Sequence, residues 1–270
     1  MTPLVERLID VGKGKVQVDS SGSGLDFVIV HSLLTGPEAF DRVASSLSRD
    51  MTVHRVYLPG FGGSTPLASP DVSIADLADL VAATMEQLGC GPDTVVLGNG
   101  LGSFVTLSLA IRHGGRFERL IACNTGPAFP DDRKGAFRTM SDLAESGGMA
   151  AVADVAVARI FPTSYLEAHP EAAAQRRDVL EGVDPGAFAA ACRALAVLDL
   201  SEQLAAISNP TLVVVGEIDQ TTPPRMGMAV AGAIPDAALA EIPGCGHCPQ
   251  LEKPDALLAA IDRFLTDRAA

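Results

Sequence analysis

The chain has 270 residues, 47% of them hydrophobic, enough to bury a large core in one sizeable domain with room for an inserted subdomain. A formal net charge of −13 argues against nucleic acid or an anionic membrane surface as partner, because both are polyanions of the same sign. No apolar run reaches the roughly 18 residues needed to cross a bilayer, and Met1 to Arg7 carry no basic stretch followed by an apolar one, so neither a membrane span nor a secretory leader is expected.

Short apolar runs alternate with helical segments, the pattern of a mostly parallel sheet covered on both faces. Residues 27–30 (Phe-Val-Ile-Val) predict a strand and residues 38–47 a helix. A strand over 51–58 runs into the turn-rich loop Pro59-Gly60-Phe61-Gly62-Gly63-Ser64. Residues 74–88 predict a helix, with Ser73 as N-cap and Gly89 just past its end. The strand at 94–97 enters a tight Gly98-Asn99-Gly100-Leu101-Gly102 turn, and a helix leaves it from 101 to about 113. Residues 119–123 are the next strand.

The rhythm then breaks. From about 129 to 200 there is no strand signal, only helical stretches at 150–160, 171–180 and 187–198. Alternation resumes with a strand at 211–215, a helix near 226–234, a strand at 238–242 and a closing helix over 254–265. The expected organisation is a doubly wound core of residues 1–128 and 201–270 interrupted by a helical cap over 129–200. Caps hold substrate and exclude water. No internal repeat or low-complexity tract is present. The five cysteines (Cys90, Cys123, Cys192, Cys245, Cys248) form an odd set scattered through apolar segments, which suits buried free thiols in a reducing, cytoplasmic setting.

Four motifs in a fixed order carry a resemblance. The first is Val28-Ile29-Val30-His31-Ser32-Leu33-Leu34, and the second is the 59–64 loop. The third is the 98–102 turn. The fourth joins Gly216-Glu217-Ile218-Asp219-Gln220-Thr221-Thr222-Pro223-Pro224 to Pro243-Gly244-Cys245-Gly246-His247-Cys248-Pro249-Gln250-Leu251-Glu252. Together they resemble the α/β-hydrolase superfamily, closest to its lactonase, esterase and carbon–carbon hydrolase branch. The resemblance implies the α/β-hydrolase fold: a doubly wound, mostly parallel sheet with an inserted helical cap. It also implies a nucleophile, Asp, His order that falls here on residues 100, 219 and 247. Asp219 would orient His247, and His247 would be the base. The backbone N–H groups of Leu33 and Leu101 would hold the oxyanion, although Ser32 stands where glycine is commoner in the family. Tyr57 likewise stands where the family often has aspartate.

The departure that matters is Gly100. At the tip of such an elbow the family places a serine, and glycine has no side chain with which to attack. Glycine also relieves the strained backbone of the tip, so this position exchanges activity for stability. Two histories produce that residue: replacement of a serine to trap a substrate or intermediate, or a native glycine. Ser103, one helical turn on, falls off the tip, and Ser32 could donate a hydrogen bond to substrate from the oxyanion region. Tyr165 in the cap is a second candidate hydrogen-bond donor to substrate.

Cys245-Gly246-His247-Cys248 matches a dithiol redox motif, but only 22 residues follow it, too few for the strands and helix such a unit places behind it. No second ligand pair supports a metal site, and neither a dinucleotide fingerprint nor a phosphate loop is present, so no cofactor or metal is expected. The expected partner is a small, largely apolar carbonyl compound whose ester, lactone or carbon–carbon bond would be hydrolysed, with the chain nearly inert as it stands. The alternatives are a cofactor-independent lyase, cyclase or isomerase using His247 as general base, or a binding protein on the same scaffold.

Overall fold

The computed structural model describes residues 4–69 and 71–266, so the first three residues of the N-terminal segment read above lie outside it. Eight strands form one sheet: β1 (Val5–Asp10), β2 (Lys15–Gly22), β3 (Leu25–Val30), β4 (Met51–Val56), β5 (Val95–Asn99), β6 (Arg119–Cys123), β7 (Thr211–Gly216) and β8 (Ala237–Ile242). Their spatial order is β1-β2-β4-β3-β5-β6-β7-β8. The β1–β2 and β2–β4 pairs are antiparallel, and every other pair is parallel. The sequence pattern missed β1 and β2. Their alternation is masked by polar residues (Gln17, Asp19, Ser20, Ser21), and pairing with β4 supplies the order that local propensity does not.

Period-two alternation divides the parallel strands between two cores. Val28, Val30, Val96, Leu120, Ala122, Val213 and Val215 face one side, where α2 (Ile74–Leu88), α3 (Leu101–His113) and α8 (Pro224–Ala233) contribute Leu77, Phe104 and Val230. Phe27, Ile29, Leu97, Ile121 and Val214 face the other, against α1 (Asp41–Leu47) and α10 (Pro254–Thr266) with Val43, Leu257 and Ile261. The helix expected over 38–47 is divided: a single 3₁₀ turn at Pro37–Phe40 precedes α1. Helix α2 carries a full capping box, in which the Ser73 hydroxyl accepts from the Asp76 N–H and Asp76 accepts from the Ser73 N–H. It ends on Gly89 in the left-handed conformation. Helix α3 is buried from Leu101 to Ala110, the environment of a central helix.

Between β6 and β7 run four helices: α4 (Asp131–Ile160), α5 (Thr163–Ala168), α6 (Glu171–Glu181) and α7 (Pro185–Val197). The two ends of this insertion are tied at its base, where Leu200 N–H donates to Pro127 C=O at 2.8 Å and Ala128 bridges to Asp199. Helix α4 is broken at Gly148 (φ 70°, ψ −174°), a conformation that suits glycine. The short α9 (Pro249–Glu252) follows the last loop. Among the described residues no helix is long and apolar enough to cross a membrane.

Candidate active site

The site sits at the carboxyl ends of the central strands, where the parallel sheet opens. Strand β5 delivers Gly100 at a sharp turn into α3, with φ 53° and ψ −119°. The flanking glycines are dictated by contact. A Cβ on Gly98 would run into the Gly102 backbone, and one on Gly102 into the Val30 carbonyl. Gly100 N–H is anchored to the Cys123 C=O at 3.1 Å, and the Ser103 hydroxyl donates to the Gly100 C=O at 2.7 Å. Ser103 is therefore committed to the helix start and does not face the cavity.

A Cβ built on Gly100 would lie 3.0 Å from His247 Nε2, and it would overlap Ser32 Oγ. The tip thus points at the imidazole, and the Ser32 hydroxyl occupies the space that a side chain at 100 would need. That Ser32 and Gly100 share one volume is not legible from their spacing along the chain.

His247 Nδ1 donates to Asp219 Oδ2 at 2.8 Å, which leaves the Nε2 lone pair facing residue 100. Asp219 is buried and fully engaged. Thr221 N–H and Thr222 N–H donate to its Oδ1, while the Thr222 hydroxyl (2.7 Å) and Asn124 Nδ2 (2.6 Å) donate to its Oδ2. Burial acts to raise its pKa, but the His247 charge and the hydrogen bonds from His247, Asn124 and Thr222 outweigh it and hold the carboxyl below its ordinary value.

Two positioning residues were not singled out from the sequence. Asn124, at the end of β6, adopts a positive φ of 51°, and its amide bridges Asp219 to the Gly246 C=O. Glu252 accepts from Gly246 N–H at 2.7 Å and Cys248 N–H at 2.9 Å, so it clasps the backbone on either side of His247. Asn99 adds a third restraint by donating to the His247 C=O at 3.2 Å. The only sequence signals were an asparagine just after a strand and a glutamate at the start of a helix.

The Leu33 and Leu101 backbone amides border the same cavity, and neither N–H has a protein acceptor among the described residues. His31 shapes that edge. Its Nδ1–H donates to the carbonyls of Ser32 and Thr35, and its Nε2 accepts from Leu58 N–H at 3.0 Å. Complete burial lowers its pKa against those hydrogen bonds, so it is a neutral structural ring.

A narrow, partly open cavity is lined by Ser32, Gly100, His247 and the apolar side chains Phe104, Phe129, Phe137, Met140 and Leu195. Arg159, Thr221 and Thr222 supply its other polar groups. A larger cleft lies between the loop after β4 and α7 and shares only Leu101 with it among its lining residues. That cleft is lined by Ser69 but by no imidazole, whereas the smaller cavity holds His247.

Tyr165 is placed elsewhere, which corrects the expectation that it could reach substrate. It does not line the cavity; its ring stacks on Phe161 at 4.8 Å, and its hydroxyl points to the Leu251 C=O at 3.4 Å. Cys245 and Cys248 are buried in opposite cores, and burial pushes both thiols well up, so they do not form a reactive dithiol.

A family model described as "Alpha/beta hydrolase family" matches residues 27–260. The chain is 28% identical over 265 residues to a pimeloyl-[acyl-carrier protein] methyl ester esterase of Nitrosospira multiformis, covering 94% of this chain and 99% of that one. Its fold matches the enol-lactonase from Burkholderia xenovorans with a TM-score of 0.90 at 27% identity, covering 96% of this chain and 100% of the other. It also matches a thermophilic esterase from Thermogutta terrifontis, solved with malate bound, with a TM-score of 0.88 at 26% identity and 98% of both chains covered.

Proposed function

The chain belongs to the alpha/beta hydrolase family, and on that premise we propose that its cavity binds a small, largely apolar carboxylic ester or lactone, whose hydrolysis is held near background by the glycine at position 100. One observation carries the reading: an assembled Asp219–His247 pair whose Nε2 faces a tip that bears no side chain. Relatives named as a methyl ester esterase and an enol-lactonase support an ester or lactone as the bond at stake.

In this reading the substrate carbonyl lies beside Gly100 with its oxygen toward the Leu33 and Leu101 amides. Two preorganised donors stabilise the developing oxyanion by roughly 2.7–4 kcal/mol each. With a serine at 100, His247 Nε2 takes the hydroxyl proton while Oγ bonds to the carbonyl carbon. The same proton then leaves with the alcohol, and water attacks the acyl-enzyme with His247 again as base. Asp219 stays ionised and balances the imidazolium. Without that oxygen, only binding and the amide pair remain, and loss of a triad serine costs on the order of 10⁶ in turnover.

The free Nε2 facing the cavity favours a second reading, in which His247 removes a proton from the substrate itself and the reaction is an elimination or isomerisation. Hydrolysis of p-nitrophenyl acetate separates the two. Gly100→Ser should raise it by at least about 10³-fold over the unchanged chain. A folded variant that stays at background contradicts the proposed function, as does vigorous hydrolysis by the unchanged chain.

A further inference from the structure

Among the described residues, the cavity lining includes one cation that the hydrolytic machinery leaves unused. Arg159, near the end of α4, lines the cavity beside the loop that carries Asp219, and its Nε is buried with no hydrogen-bond partner. Its terminal nitrogens likewise make no hydrogen bond or ion pair among the described residues, whereas neighbouring Arg176, Arg177 and Arg193 each have a carboxylate. In a chain of net charge −13, a half-buried guanidinium without an acid is conspicuous.

Its placement is fixed rather than incidental. The Thr221 hydroxyl, two residues from Asp219, donates to the Arg159 C=O and ties this turn of α4 to the acid loop. The guanidinium carbon sits 5.7 Å from the centre of the Phe137 ring, which holds the group against an apolar wall. Arg133, from the other half of α4, donates to the Gln220 C=O at 2.6 Å, and its Nε is also buried and unpartnered. The break at Gly148 lets both halves of α4 reach the same loop. Arg133 does not line the cavity, but it lies close enough to Arg159 for its charge to act on that guanidinium. The nearest acid, Asp219, already has its oxygens taken by His247, Asn124, Thr221 and Thr222.

A buried Nε–H without an acceptor is costly, and a carboxylate that met it together with a terminal nitrogen would match the guanidinium's fork of donors. We propose that Arg159 is a carboxylate subsite, so that the preferred substrate is a short ester or lactone carrying a free carboxylate in addition to the scissile carbonyl. Arg133 reinforces the positive potential from behind. The small cavity limits such a substrate to a short chain. This inference rests on the reading of the cavity as a substrate site, but not on the chain's turning the substrate over.

Calorimetric titration of the unchanged chain with monomethyl glutarate and with dimethyl glutarate tests it. The two ligands differ by one charge and share the ester. The monoester should bind at least about tenfold tighter than the diester, in keeping with a charge-assisted hydrogen bond. Arg159→Gln should weaken the monoester by roughly tenfold to a hundredfold while changing the diester less than about twofold. Arg159→Lys, which keeps the charge without the fork, should recover part of the preference. Equal affinity of the unchanged chain for both esters overturns the proposal, and so does a preference that survives in a folded Arg159→Gln variant. Binding needs no catalysis, so a negative result here leaves the Gly100→Ser hydrolysis test standing, and failure of that test leaves this one standing.

Discussion

The molecule contains two sets of Ser, His and Asp type, and they fail to be triads for opposite reasons. On strands β2, β4 and β3, the Ser20 hydroxyl lies 2.8 Å from His54 Nδ1, and His54 Nε2 lies 3.0 Å from Asp26 Oδ1. All three residue types are present and bonded in sequence, with the Cys90 sulfur within 4.8 Å of the Asp26 and His54 donor atoms. Ser20 and His54 are nevertheless buried in the sheet, away from the cavity that holds Leu33 and Leu101. At the carboxyl ends of the strands the cavity, the amides, the acid and the imidazole are assembled, and what is missing is a hydroxyl on residue 100 itself, the neighbouring hydroxyl belonging to Ser32. Residue types bonded in a row do not make a hydrolase; an open space beside the base, with oxyanion donors around it, does.

The largest effect belongs to the acid. In a Gly100→Ser background, Asp219→Asn should lower kcat by about 10⁴, because the imidazole loses both its tautomer and its counter-charge, whereas His54→Ala should leave kcat within about twofold. A comparable loss from both would show that the two sets are coupled.

Next comes Ser32. Gly100→Ser alone forces the new Cβ onto Ser32 Oγ at a backbone conformation strained for a side chain, so it should lower stability by about 1–3 kcal/mol. Adding Ser32→Gly should recover part of that loss in Tm and raise the turnover of the single variant. If Ser32→Gly changes neither, the two residues do not share one volume.

His54→Ala in the unchanged chain should cost about 1–3 kcal/mol in denaturant unfolding, the consequence of removing a buried ring with two hydrogen bonds. The smallest effect is on the acid limb of stability. Asp219 has a folded pKa below its unfolded value, so its contribution is complete above the ordinary carboxylate pKa of about 3.9 and is lost as pH falls through the lower folded value. Asp219→Asn should therefore flatten the fall in unfolding free energy below about pH 4, measured by urea titration at stepped pH.

Much of the fold was legible because the central strands are apolar on both faces and the helices between them carry their own caps, as Ser73 and Gly89 do for α2. The β1–β2 hairpin was not, because its polar residues satisfy no local rule and are ordered by β4. Within the site, Gly98, Gly102, Asp219 and His247 could be read because tight turns and loop motifs fix residue type at short range. Asn124, Glu252 and Arg159 could not. Asn124 and Arg159 acquire their roles from partners far along the chain, Asp219 and Gly246 for Asn124 and the cavity wall for Arg159, whereas Glu252 acts locally on the Gly246 and Cys248 N–H groups through a loop shape that residue spacing does not reveal. Tyr165 shows the converse, since a tyrosine in a helical insertion reads as a candidate donor until Phe161 and Leu251 are seen to occupy it.

A hydroxyl placed at position 100 would be the nucleophile of a site otherwise ready to use one. Intact-protein mass spectrometry after exposure to a fluorophosphonate tests this directly, because only an activated serine forms the phosphonyl adduct. The account predicts no adduct on the unchanged chain and a single adduct, mapped to residue 100, on the Gly100→Ser variant. An adduct on Ser32 or any other residue of the unchanged chain, or none on the folded variant, would contradict it.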